Sequence, residues 1–160
     1  MLAMTHSSRN APRALAGRLA ADGADALERA LAVLKAGELA GASPLPLIGR
    51  NVGLLCADVQ RPDAFLLQRL ANELGARVAL LQHGAEAGAD AQTARLLGRL
   101  YDAVICVGVP AATVERLRDA AGIPVVADLA EAWAALSAAR ADDGEDPRHL
   151  LRAMLVAICS

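Results

Sequence analysis

The stretch Thr93–Leu129, TARLLGRLYDAVICVGVPAATVERLRDAAGIPVVADL, decides the fold, because it reads as helix, strand, helix, strand with hardly a residue left over. Thr93, Leu96, Leu97 and Leu100 recur at the i, i+3, i+4, i+7 spacing of one helix face and are expected to point inward. Ala103 to Val107 then runs apolar and β-branched for one strand's length, as a strand buried on both faces does. Pro110 suits the first turn of the next helix, where no N–H is needed, and Val114, Leu117 and Ala121 give that helix its inner face. Gly122 is placed to stop it as a left-handed cap, and Ile123 to Val126 forms the next strand. Strands alternating with helices at this spacing imply a parallel sheet with helical crossovers, so the fold class is α/β.

The same residues resemble a known family. TARLLGRLYDAV followed by AGIPVVADL is similar to the carbamoyl-phosphate domain of the aspartate and ornithine carbamoyltransferases, nearest the ornithine branch. There a D-T-A-R-x-L-G-R-x-Y-D-A unit precedes a G-x-P-V strand. The resemblance implies a three-layer α/β/α doubly wound domain with a four-stranded parallel sheet in the order 2-1-3-4. It also implies a trimer, with active sites between subunits.

At 160 residues the chain suits one domain, large enough to bury a core without disulfides or metal. One Trp, one Tyr, one Phe and a net charge of −2 argue against nucleic acid, which needs a basic surface and, for single strands, stacking rings. The acidic run Asp142, Asp143, Glu145 and Asp146 reads as a solvated loop. Cys56, Cys106 and Cys159 have neither CxxC spacing nor a close His, so they read as small core hydrophobes in a reducing compartment. MLAMTHSSRN lacks the pattern of a leader, and no apolar run reaches about 18 residues. The expectation is a soluble, cytoplasmic protein without membrane, metal or cofactor.

Residues 1–10 are polar and expected to fray, with Met4 as good a start as Met1, and 11–160 are expected to form the single domain. From Pro12 to about Ala40 the chain reads as helix, with a break at Asp22 and Gly23 and a buried face of Leu27, Ala30, Leu31 and Leu34. ASPLPLIG is a proline-stiffened link, Asn51 to Cys56 the first strand, and a helix begins near Asp63, a plausible N-cap. Leu67, Leu70, Ala71 and Leu74 supply that helix's core face, Gly75 ends it, and Arg77 to Leu81 is the second strand. The loop Gln82–Ala89 holds His83, which has no carboxylate or second His at a helpful spacing, and Asp90 is the next cap. Leu129 to Ala141 is an Ala-rich helix with Trp133 as a packing residue. Asp146 and Pro147 open a final helix whose Leu151, Met154, Leu155 and Ile158 face inward. That helix, RHLLRAMLVAIC, resembles the C-terminal helix of the same family, which returns to pack on the first domain. The resemblance thus points to loss of the amino-acid-binding domain with both ends of the first domain kept.

Carbamoyl transfer needs the phosphate dianion neutralised, the carbonyl polarised and an amine held for attack. The family does the first with S-T-R-T-R at the turn after strand one, using hydroxyls, guanidiniums and helix N–H groups. The corresponding turn here reads Val59, Gln60, Arg61, Pro62, Asp63, with one Arg, no hydroxyl and a carboxylate where the ligand's charge would lie. At an effective dielectric of about 20, like charges about 4 Å apart cost roughly 4 kcal/mol. After strand three the family's Arg-Gly is Val107–Gly108, and the H-P-T-Q after strand four falls on Ala134, Ala135, Leu136 and Ser137. No catalytic residue is therefore assigned.

Gln60, Arg61, Asp63 and Gly108 are the candidate ligand-binding residues, at the crevice between strands one and three where sheets of reversing order bind ligands. Two readings of Arg61 stand: an anion contact, or a surface Arg beside a helix cap. Arg95 and Arg99 read as a solvated helix face. At the level of function, one reading is a carbamoyltransferase-like module related to amino-acid metabolism, without transcarbamoylase activity, binding its own kind or a partner enzyme. The alternative is a sensor or enzyme for a small anion such as carbamoyl phosphate, using the residual pocket near Arg61.

Overall fold

A computed structural model describes residues 23–84 and 90–160. The expectations for residues 1–10, for the helix between Pro12 and Asp22 and for most of the loop 82–89 lie outside the described residues. The chain divides into two compact units, Leu45–Leu129 with Ile158–Ser160, and Met1–Pro44 with Ala130–Ala157.

The first unit is a four-stranded parallel sheet of β1 (Asn51–Cys56), β2 (Arg77–Gln82), β3 (Ala103–Val107) and β4 (Val125–Ala127), in the order β2-β1-β3-β4. β1 and β3 lie at the residues the apolar runs predict, β2 runs one residue further and β4 begins two residues later. Three helices of this unit connect the strands: α2 (Pro62–Glu73), α3 (Ala91–Leu100) and α4 (Ala111–Ala121). The path from β1 to β2 runs toward one edge, and the paths from β2 to β3 and from β3 to β4 run toward the other. Right-handed crossovers therefore place α2 on one face and α3 and α4 on the opposite face, with the direction reversing between β1 and β3.

Leu55, Val104 and Cys106 pack with Ala94 of α3 and with Val114, Leu117 and Ala121 of α4. The alternate strand residues Val52, Leu54 and Ile105, also fully buried, point to the other face, as the pleat requires. The core face of α2, Leu67, Leu70 and Ala71 with Leu74 just beyond, is buried as the spacing predicts. Gly75, at φ +98°, turns the chain after it, and the link behind it is anchored by Leu47, whose N–H donates to Leu74 O at 2.9 Å. Gly122 is the left-handed cap expected after α4, at φ 70°.

Three local expectations need correction. Pro110 is the N-cap of α4 rather than its first-turn residue. The N-cap of α2 is Arg61, with Pro62 first inside the helix, so Asp63 lies in the first turn and does not cap. The third correction is to α3. Asp90 caps it as expected, accepting from Thr93 N–H at 2.7 Å, but Thr93 is exposed, Leu97 is half-buried, and Leu96 and Leu100 are each 54% exposed. The side toward α4 is instead the buried Ala94 and the half-buried Gly98. A Cβ on Gly98 would stand 1.9 Å from Ala121 O, so α3 approaches the backbone of α4 through its smallest residues. On a 3.6-residue turn the leucines then fall nearly opposite that contact.

Tyr101 and Asp102 complete this region. The Tyr101 ring lies over Gly53 of β1, where a Cβ would meet it at 3.3 Å. Asp102 Oδ2 accepts from Asn51 N–H at 2.8 Å, and Asp102 N–H donates to Asn51 O at 2.7 Å, closing the entry to β1 and β3.

In the second unit, α1 (Gly23–Leu39) buries Leu27, Ala30, Leu31 and Leu34 as the spacing predicts. α5 (Leu129–Ala139) ends two residues before the expected Ala141, and a 3-10 turn at Ala141–Asp143 leads to Gly144, at φ 70°. α6 (Pro147–Cys159) opens with Asp146 Oδ1 accepting from Arg148 N–H at 2.9 Å, and Leu151, Met154, Leu155 and Ile158 are buried. Ion pairs Lys35–Glu145 and Glu28–Arg140 and a contact of His149 Nδ1 with Glu38 Oε1 link α1 to the segments after it in space, so Glu145 of the acidic run is paired while Asp142 and Asp143 stay exposed. Trp133 is half-buried and donates its indole N–H to Pro147 O.

Candidate functional site

The place to look for a ligand in a sheet of this order is the C-terminal edge between β1 and β3. There the chain leaves β1 at Cys56, and Ala57 N–H donates to Val107 O at 3.0 Å, so the two exits stay paired for one more residue. Gln82 Nε2 donates to Ala57 O at 3.1 Å, and His83 N–H donates to Cys56 O at 2.7 Å. Asp58 Oδ1 accepts from Gln60 N–H at 2.9 Å, an Asx turn that points the chain into α2. Gln60 is exposed at the tip of that turn.

Arg61 follows in extended conformation, φ −65° and ψ 136°. Its guanidinium is occupied by the chain itself. Nε donates to Asp63 Oδ1 at 3.0 Å and Nη2 donates to Asp63 Oδ2 at 2.8 Å, the fork geometry in which guanidinium recognises carboxylate. Asp63 Oδ1 also accepts from Ala64 N–H at 3.1 Å, taking one of the free donors at the start of α2. Bonding to Arg61 holds the Asp63 carboxyl below the usual carboxylate range, and the same bond raises Arg61. On its other side Arg61 reaches the turn after β3: a Cβ on Gly108 would stand 2.9 Å from Nη1. Gly108 is at φ 70°, so the position favours glycine for its backbone conformation. Of the residues singled out in the sequence, Arg61, Asp63 and Gly108 thus converge, while Gln60 stays at the rim.

Chemically this edge is a self-satisfied ion pair, with two carboxylates, Asp58 and Asp63, against one guanidinium. Among the described residues it offers no exposed thiol or hydroxyl. Burial first, then the charge of Asp63, pushes the Cys56 thiol up against the opposing pull of Arg61. Cys106 is pushed up to about 12 by burial, and Cys159 likewise. The three thiols are free and buried, as small core residues are. Among the described residues no group of His, Cys, Asp and Glu is arranged to hold a metal ion, and no helix is long and apolar enough to cross a membrane. Ser137, at the position of the resembled carbonyl-gripping motif, has a buried hydroxyl without a partner among the described residues.

Sequence reasoning missed the closure of Arg61 onto Asp63. The signal was present as an Arg and an Asp two residues apart, but the direction of the carboxylate is set by the turn and by the space above Gly108.

The class this architecture defines is a doubly wound α/β domain with its switch point between β1 and β3. Solved structures it is similar to include ornithine carbamoyltransferases. The enzyme from Pyrococcus furiosus aligns over 71% of this chain and 40% of its own, at 21% identity and TM-score 0.55. The enzyme from Thermus thermophilus aligns over 74% of this chain and 45% of its own, at 20% identity and TM-score 0.57. The mitochondrial enzyme from Coccidioides immitis aligns over 78% and 43%, at 12% identity and TM-score 0.57. The likeness is one of fold, and the chain spans less than half the length of these enzymes. No protein-family model matches the sequence.

Proposed function

We propose that the chain is a carbamoyltransferase-like binding module of amino-acid metabolism, without transcarbamoylase activity, which acts in the cytoplasm as a homotrimer or on a partner enzyme. The observation that carries this reading is the Arg61–Asp63 fork. The Arg61 guanidinium has its Nε and Nη2 on the chain's own carboxylate, and the adjoining helix N–H of Ala64 is bonded to the same group. An incoming phosphate would have to displace a carboxylate tethered two residues away, and would meet its charge. The same geometry counts against the alternative, a small-anion sensor or enzyme, which needs Arg61 and the helix N–H groups converging on open space.

The test is a thermal-unfolding titration with carbamoyl phosphate, with inorganic phosphate and a bisubstrate-type phosphonate beside it. Ligand at about 100 times its dissociation constant adds roughly 2.7 kcal/mol, a shift of several degrees. The expected result is no saturable shift at millimolar ligand. A saturable shift abolished by Arg61→Ala would establish the sensor or enzyme instead.

A further inference from the structure

α3 carries an apolar stripe that the chain's own core does not use. Leu96 and Leu100, one turn apart, are each 54% exposed, because Gly98 and Ala94 take the contact with α4. The stripe continues inward through Leu97 and Leu81, both partly buried against the core cluster beneath. Beside it, also one turn apart and exposed, stand Arg95 and Arg99. α3 contains no Asp or Glu, and neither arginine forms an ion pair among the described residues. Arg95 is felt by the Asp90 carboxylate, but that group is bonded to the N–H of Thr93.

We propose that this face of α3 is a docking site for an amphipathic helix of a different protein, with an apolar stripe for Leu96 and Leu100 and acidic residues along the side that meets Arg95 and Arg99. The inference rests on the binding-module reading and adds the chemistry of the partner. Charge decides the occupant. If α3 of a second copy lay here, four guanidiniums would gather around four leucines with no carboxylate on either helix, and like charges that close repel. An anionic membrane is also a poor fit, since helices that lie in the interface present longer apolar faces, often over about 20 residues, than two leucines on ten. An acidic helix satisfies both halves of the surface, the leucines by ridges-into-grooves packing and the arginines by charge-assisted bonds.

The experiment uses the whole chain and a designed 18-residue helical peptide, labelled for fluorescence anisotropy, with leucines at i, i+4 spacing flanked by glutamates. A twin peptide has lysine at every glutamate. The acidic peptide is expected to bind the native chain, and to bind at least tenfold more weakly to Leu96→Ser/Leu100→Ser and to Arg95→Glu/Arg99→Glu. The lysine twin is expected to prefer the charge-reversed variant. All four positions are exposed, so unchanged circular dichroism and Tm confirm that the variants fold. Equal binding of both peptides, no binding, or binding indifferent to the variants would overturn the proposal. So would binding to phosphatidylserine vesicles lost in the same variants, or a native oligomer that Leu96→Ser/Leu100→Ser converts to monomer. A carbamoyl-phosphate shift would overturn the module reading itself. Failure of the peptide without that shift overturns only the docking site.

Discussion

Two regions of the first unit differ in how their side chains are used: one follows the carbamoyltransferase pattern, and the other departs from it. In the segment from Gly98 to Asp102 three of the residues that match the family's pattern have a duty in the fold, and the fourth, Arg99, stays exposed. Gly98 lets α3 reach the carbonyl of Ala121, Tyr101 covers Gly53, and Asp102 bonds both backbone groups of Asn51. In the turn from Ala57 to Asp63 the backbone makes an Asx turn and sets a proline in the first position of α2, while the side chains of Arg61 and Asp63 close on one another. The difference teaches that contacts which set the shape of a close-packed interior are costly to change, whereas side chains aimed at a ligand can be exchanged with little effect on folding.

The sharpest way to break this contrast is Gly98→Val. Its Cβ would collide with a backbone carbonyl that has no rotamer to yield, so α3 must lift from α4. The expected loss is about 3 kcal/mol, read as a lower urea midpoint at unchanged slope. A midpoint equal to that of the native protein would show that the two helices do not touch here.

A smaller effect, over the first pH unit above 9.0, comes from the thiol under the same helices. Burial raises Cys106 to about 12 from an ordinary 9.0. Between those values the unfolded chain has lost a proton that the native chain keeps, so this contribution to stability is intact below pH 9 and declines as pH rises. The slope is at most about 1.4 kcal/mol per pH unit, and Cys106→Ala should flatten it. Identical alkaline slopes for the two proteins would contradict an interior tight enough to exclude a thiolate.

The smallest expected effect tests the other region. Asp63→Ser removes the internal carboxylate and frees both the Arg61 fork and the N–H of Ala64. Inorganic phosphate at millimolar concentration should then raise Tm slightly, and Arg61→Ala in the same background should remove the gain. Phosphate acting equally on the native chain would mean that Asp63 does not occupy the site.

Much of this architecture is legible in the residues. Short apolar runs fix β1 and β3 because a strand buried on both faces tolerates no polar residue, and Asp90, Gly75 and Gly122 mark helix ends through donor and φ requirements that few residues meet. The periodic faces of α1, α2, α4 and α6 are read correctly because each has one apolar stripe and the core takes it. α3 is the exception. Its sequence announces a stripe of Leu96, Leu97 and Leu100, yet periodicity says only that a stripe exists and cannot say whether the core or another surface receives it. Closeness of approach decided that, through a glycine whose missing Cβ matters only beside a particular carbonyl.

The candidate site divides in the same way. The sequence by itself determined which groups of the turns after β1 and β3 stand at the switch point: a guanidinium, two carboxylates and a glycine. Whether that guanidinium faces outward or inward is a matter of a few ångströms, set by the Asx turn at Asp58, the extended backbone of Arg61 and the room above Gly108. Those constraints come from two segments far apart in the chain, the turns after β1 and β3, brought together by the sheet, and so only the tertiary structure decided that Arg61 is bonded to Asp63.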